Sequence, residues 1–240
     1  MDYSEKTLWD WMGKFLRVKV LFSAAGLATQ ILVNDIENDT NLLIDVGDGI
    51  LRDLVSLPRK YYENINTILI THGHFDHVGG LFSLLAFFRM LNRNKTLHLV
   101  SPQNVIELEG LVKTFYNSYK DSIPYQLNIV KIKKDFELNN IQITAFTVQH
   151  RGSIIGGGEL PNIPSVGYKI HKNGETILYT GDTGYFEELK KHVKDVNFAL
   201  IEGTNRDIVT PYHLNLKQAE EIGKLAKNYK IIHQIVSRKV

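Results

Sequence analysis

Short runs rich in β-branched and aromatic residues alternate with polar breaks along most of the chain. Residues 17–22, 28–34 and 41–46 read as three strands, split by Ser23-Ala24-Ala25-Gly26 and by the polar stretch 35–40. Residues 48–57 read as a short helix that Pro58 ends, and 65–71 as a buried β-branched strand that stops at His72. Residues 77–92 are apolar almost all round, which predicts a buried helix. The alternation continues with a strand at 96–100, a helix at 104–116, and strands at 127–132 and 141–148, the last running into His150. Residues 151–164 hold Gly156, Gly157, Gly158, Pro161 and Pro164 and read as a loop. Strands at 166–171 and 176–179 flank Lys172-Asn173-Gly174-Glu175, a hairpin signal. A strand at 197–201, a helix at 216–227 and a strand at 230–236 close the series. Strands gather at the start and helices intersperse in both halves. That order predicts an α/β (α+β) protein of two packed sheets with helices outside, and not a doubly wound parallel sheet.

Composition adds few restrictions but useful ones. At 240 residues with no linker-like stretch, the chain is expected to form a single domain spanning 1–240. Hydrophobic residues at 43% suffice for a sizeable core, and a formal charge of +2 does not mark a nucleic-acid binder. There are no cysteines, so disulfides and thiolate metal sites are excluded, and any metal must rest on His, Asp or Glu. Residues 1–17 lack the basic and continuous apolar regions of a signal peptide, and the apolar stretch 79–88 is too short for a bilayer. A cytoplasmic protein with no membrane association is expected. Trp9, Trp11 and Phe15 would suit a helix packed on the chain's own core or on a partner such as a second copy in a homodimer.

The chemistry concentrates in Thr71-His72-Gly73-His74-Phe75-Asp76-His77, at the junction of a strand and a helix. In extended chain, residues i and i+2 share a side, so His72 and His74 can approach one ion together. Gly73 offers backbone freedom for the turn, after which Asp76 and His77 project toward a second position. Imidazole and carboxylate suit Zn, Mn or Fe. Three further residues fall where strands end: His150, Asp182 within Thr180-Gly181-Asp182-Thr183-Gly184, and His233 in the final strand. Asp48 reads as a helix cap and Asp45 as a partner for a metal-binding histidine. His98, His171 and His192 stand outside the pattern as solvated or core histidines.

These residues resemble the metallo-β-lactamase fold superfamily, whose His-x-His-x-Asp-His signature matches His72 to His77. Its later ligands match His150, Asp182 and His233, and the likeness runs from Leu43-Ile44-Asp45-Val46-Gly47 to the last strand. The resemblance implies a four-layer αββα sandwich and two divalent metal ions, zinc foremost, with manganese and iron as alternatives. It implies that His72, His74 and His150 hold one ion, that Asp76, His77 and His233 hold the other, and that Asp182 bridges. A hydroxide between the ions would then be the nucleophile. Ile201-Glu202-Gly203-Thr204 followed by Pro211-Tyr212-His213-Leu214-Asn215 is similar to the tRNase Z and phosphodiesterase branch. There the matching pair gives His213 the task of protonating the leaving group or gripping phosphate, with Glu202 orienting it. Asp76, Asp182, Glu202 and His213 are therefore the expected catalytic set.

Two departures qualify that branch. The interval from His150 to Asp182 has no room for the tRNA-gripping arm of tRNase Z, and His233-Gln234-Ile235-Val236-Ser237-Arg238 lacks its His-Phe-Ser-x-Arg ending. Arg151, next to a proposed ligand, could hold a substrate anion. The Gly156 to Gly158 stretch could be a lid or an ordinary loop. The expected substrate is a phosphodiester, either a small anionic ester or a short nucleic acid. A sulfate ester, lactone or thioester is the alternative, and a non-catalytic metal-binding protein is the weakest reading.

Overall fold

The computed structural model describes residues 9–153 and 159–236, and the chain falls into two compact units, Met1–Lys131 and Ile132–Val240. Calls on Gly156, Gly157, Gly158, Ser237 and Arg238 lie outside the described residues.

The first unit contains β1 (Trp9–Met12), β2 (Leu16–Ala24), β3 (Ala28–Asp35), β4 (Thr40–Val46), α1 (Ile50–Val55), α2 (Lys60–Glu63), β5 (Ile65–Leu69), α3 (Phe75–Val78), α4 (Leu81–Met90), β6 (Leu97–Ser101), α5 (Ile106–Tyr119) and β7 (Leu127–Lys131). Its seven strands form one sheet in chain order. From β1 to β4 neighbours are antiparallel, since short turns can join them; from β4 to β7 they are parallel. Parallel pairs need long crossovers, and the five helices lie in those three connections. Leu32, Leu43, Ile68 and Leu99 of the sheet share a core with Leu81, Leu84, Leu85 and Phe88 of α4 and Leu108, Val112 and Phe115 of α5.

Two expectations for this unit are corrected. The segment around Trp9 and Trp11 is not a helix: β1 pairs antiparallel with β2, and Asp10 binds Arg17 and Lys19 across the pair. The apolar run 77–92 is not one helix either. It is α3 and α4, separated at Gly79-Gly80, where the Gly80 N–H donates to the Val46 carbonyl at 2.8 Å. That bond draws the signature helix against the end of β4.

The second unit contains β8 (Asp135–Leu138), β9 (Ile141–Thr147), β10 (Arg151–Ser153), β11 (Glu159–Asn162), β12 (Val166–Lys172), β13 (Glu175–Tyr179), α6 (Glu187–Val193), β14 (Phe198–Glu202), α7 (Leu216–Gly223) and β15 (Tyr229–Ile232). Six of these strands form a sheet in the order β15-β14-β13-β12-β9-β8. Its β13–β14–β15 side is parallel and the remainder antiparallel. The β12–β13 hairpin turns on Asn173 (φ 48°) and Gly174 (φ 82°), the paired left-handed residues of a tight turn that follows strand twist. Leu189 and Val193 of α6 and Ala219 and Ile222 of α7 pack with Leu178, Ala199 and Ile201 of the sheet. The stretch read as a loop at 151–164 carries the β10–β11 pair, with Arg151 opposite Asn162. Among the described residues no helix is long and apolar enough to cross a membrane.

Candidate metal centre

In the first unit β5 ends at Leu69, and the chain runs extended through His72 and His74 into α3. His72 and His77 are fully buried and Asp76 is 6% exposed. His72 Nε2 and His74 Nδ1 converge to 3.1 Å, with the rings edge-on at 81°. Two imidazole nitrogens brought this close suit a shared cation. Gly73 is not among the residues with positive φ, so its value is not backbone freedom. A Cβ there would meet the Glu107 carboxylate, the movable end of an exposed side chain, and lie 3.0 Å from Val105 Cγ1.

Asp45 organises this cluster. The β3–β4 register shifts between Gln30 and Ile31, leaving Asp45 as a bulged residue with φ 57°, a conformation that short polar side chains tolerate. Its Oδ1 accepts from the Thr71 N–H and its Oδ2 from the Thr71 hydroxyl, both at 2.8 Å, and His77 Nδ1 lies 2.7 Å from Oδ2. Burial pushes the Asp45 carboxyl up, while His77 and Thr71 draw it back. A carboxylate acceptor at Nδ1 favours the tautomer in which Nε2 carries the lone pair. His77 Nε2 lies 3.8 Å from Asp76 Oδ2, which accepts from the Gly26 N–H at 2.9 Å. Sequence reasoning named Asp45 but missed Thr71 and Gly26. The backbone amides in these contacts leave no residue-type signal.

The second unit assembles its own set. His150 follows β9, and its Nδ1 lies 3.0 Å from the Tyr212 carbonyl, again the tautomer with the lone pair on Nε2. Asp182 Oδ2 is 3.0 Å from His233 Nε2 and 3.9 Å from His150 Nε2. One carboxylate oxygen thus faces two imidazole nitrogens. His233 is not within a strand as expected: β15 ends at Ile232, and His233 takes φ 58°, which breaks the extended chain. Ligand-type atoms of His150, Asp182 and His213 lie within 4.8 Å of one another.

Glu202, fully buried at the end of β14, holds the neighbouring loops together. Its Oε1 accepts from the Thr183 N–H (3.0 Å), the Leu214 N–H (3.1 Å) and His213 Nδ1 (3.0 Å); its Oε2 accepts from the Thr204 N–H (2.8 Å). The His213 loop is fixed further by a capping box, in which the Gln218 N–H donates to Asn215 Oδ1 and the Asn215 N–H to Gln218 Oε1. Gly184 admits no side chain, because a Cβ would collide with the Pro211 carbonyl; this brings the Asp182 and His213 loops into direct contact. The three remaining histidines join neither set. His98 Nδ1 meets Asn128, His171 Nδ1 meets Thr176, and His192 stacks on Phe146 at 4.1 Å.

A family model described as Beta-lactamase superfamily domain matches residues 40–232. Ribonuclease Z of Pyrococcus abyssi (strain GE5 / Orsay) is 26% identical over 235 residues, covering 79% of this chain and 75% of that protein. The short form of human tRNase Z is similar in backbone, with a TM-score of 0.73 at 20% identity over 91% of this chain and 92% of the other. A metallo-β-lactamase fold protein from Bacillus subtilis gives a TM-score of 0.73 at 17% identity over 92% and 88%. The family match begins where β4 begins and stops where β15 stops, so it takes in the histidine cluster, the Asp182 loop and the Glu202–His213 pair alike. The chain belongs to the beta-lactamase superfamily and has the metallo-β-lactamase fold.

Proposed function

We propose that this chain is a binuclear metal-dependent phosphodiester hydrolase. The observation that carries the reading is the His213–Glu202 contact: a buried carboxylate held by three backbone N–H groups also holds His213 Nδ1 at 3.0 Å. An imidazole whose Nδ1 proton is held this way presents Nε2 to substrate, and a buried anion behind it stabilises the protonated ring. That is the arrangement of a general acid that hands a proton to a departing alkoxide.

The metal ligands are proposed from the family pattern. His72, His74 and His150 would hold one ion, Asp76, His77 and His233 the other, with Asp182 bridging. The donor chemistry fits divalent ions of the zinc class: all ligands are nitrogen or oxygen, and His77 and His150 each have Nδ1 directed at a fixed acceptor. When bound, two such ions supply Lewis acidity toward a phosphoryl oxygen and an activated water. The chain's residues do the rest. Asp45 and the Tyr212 carbonyl hold the ligand imidazoles in register, and Glu202 sets the His213 tautomer. The similarity to ribonuclease Z supports a phosphodiester substrate for this chain, either RNA or a smaller nucleotide.

Hydrolysis of bis(p-nitrophenyl) phosphate by zinc- or manganese-loaded protein tests the proposal, with Asp182→Ala as the control. Turnover that the variant abolishes while the fold persists is the expected result. Turnover unaffected by Asp182→Ala at normal metal content would exclude the bridged mechanism. A metal-loaded wild type that is inactive on diesters would move the substrate to a sulfate ester, lactone or thioester.

A further inference from the structure

Arg151 is the first residue of β10 and directly follows His150. Its guanidinium carbon lies 5.2 Å from the centroid of the Tyr212 ring, and both residues are half-buried. Tyr212 thereby touches three parts of the second unit. Its carbonyl holds His150 Nδ1, its ring carries the Arg151 cation, and that ring stands 6.0 Å from His213 at an interplanar angle of 76°. The β10–β11 pairing, with Arg151 opposite Asn162, fixes the backbone from which the guanidinium projects.

We infer that Arg151 is a specificity-determining residue that binds a second anionic group of the substrate, next to the diester that is cleaved. This rests on the phosphodiesterase reading and narrows it to substrates with more than one phosphate, such as a nucleotide with a terminal phosphate or a short oligonucleotide. A guanidinium is charged at every working pH and presents a planar fork of N–H donors that matches phosphate oxygens in pairs. A cation–π contact with the Tyr212 ring restrains the guanidinium's position before substrate arrives, which lowers the ordering cost of binding. Direct linkage to His150, and to His213 through Tyr212, ties the cation's position to the reacting groups. A support for the hairpin alone would show none of the substrate dependence described next.

The test compares two chromogenic diesters, bis(p-nitrophenyl) phosphate with one charge and thymidine 3′-phosphate 5′-(p-nitrophenyl phosphate) with a second phosphate. Arg151→Met should lower kcat/KM on the second by about 10- to 100-fold, through KM, as loss of a charge-assisted contact does. The loss on the first should be several times smaller, and Arg151→Lys should fall between wild type and Met. Equal losses on both substrates, or loss of bound metal, would overturn the inference. If the wild type cleaves neither, the diesterase reading fails on its own. The inference is then decided by calorimetric binding of the 5′-phosphorylated dinucleotide pTpT in a His213→Ala background. Weaker binding after Arg151→Met sustains it, and unchanged binding overturns it.

Discussion

Replacing Glu202 with glutamine exchanges one carboxylate oxygen for an amide NH2 at nearly constant volume. Four contacts reach that carboxylate, and each of the three backbone partners is a donor: Thr183 and Leu214 N–H on Oε1, and Thr204 N–H on Oε2. His213 Nδ1, the fourth, also lies on Oε1. A glutamine has only one acceptor oxygen. Its better placement keeps that oxygen at the three-contact position and aims the NH2 at the Thr204 N–H, donor against donor. The reversed placement creates three such conflicts. Even the better case strands a buried amide, which costs about 1–3 kcal/mol, and the contacts that survive lose the strength a charged acceptor gave them. A total near 2–4 kcal/mol corresponds to a fall in Tm of roughly 5–15 °C for a chain of this size. Catalysis should suffer separately, because a neutral amide does not stabilise a protonated His213; a loss of about 100-fold or more in kcat is expected. Calorimetric melting, metal analysis and turnover of bis(p-nitrophenyl) phosphate on the same preparation separate these effects. Glu202→Gln melting with the wild type and turning over within about twofold of it would refute the reasoning. Because His213 and Glu202 act as one unit, the double variant with His213→Ala should lose little more activity than His213→Ala alone.

Asp45→Asn should weaken metal binding by about 10- to 100-fold, since the amide cannot accept from Thr71 twice and from His77 as well. Competition with a chromogenic chelator measures this, and wild-type affinity would sink the role given to Asp45. His192 is held below the ordinary histidine value of 6.5 by burial and by Lys169, against Phe146. The unfolded chain therefore takes up this proton first, so the contribution is intact above that value and shrinks as pH falls through it. His192→Gln should narrow the loss of urea stability between about pH 7.5 and pH 5.5, and an unchanged difference would contradict the assignment.

The clustering of His72, His74, Asp76 and His77 was legible because four such side chains fall within six residues at a strand exit, where the period of extended chain places His72 and His74 together. The hairpin at Asn173-Gly174 was legible for an equally local reason. What escaped depends on partners distant in sequence. Trp9 and Trp11 suggested a packed helix, yet their two-residue spacing suits the strand that β2 recruits. Gly and Pro in 151–164 hid the β10–β11 pairing, and the apolar run 77–92 hid its break because Gly79-Gly80 is set by contact with Val46. Gly73 suggested backbone freedom, yet it is not among the residues with positive φ.

Several contacts that orient the candidate site come from the main chain: the Tyr212 carbonyl on His150, the Gly26 amide on Asp76, and the Thr183, Thr204 and Leu214 amides on Glu202. Main-chain groups are the same whatever residue bears them. Replacement of Thr183, Thr204 or Leu214 by another residue with a backbone N–H keeps the orienting amide, whereas Gly26, at φ 68°, and Tyr212, whose ring meets Arg151, are held to their identity as well. The path of the chain is the quantity under constraint. One residue inserted or deleted between Glu202 and Asn215 would move His213, the Tyr212 carbonyl and the Leu214 amide together, whereas many single replacements would move none of them. The length of the loop between Glu202 and Asn215 is therefore under constraint alongside the identities of Glu202 and His213 themselves.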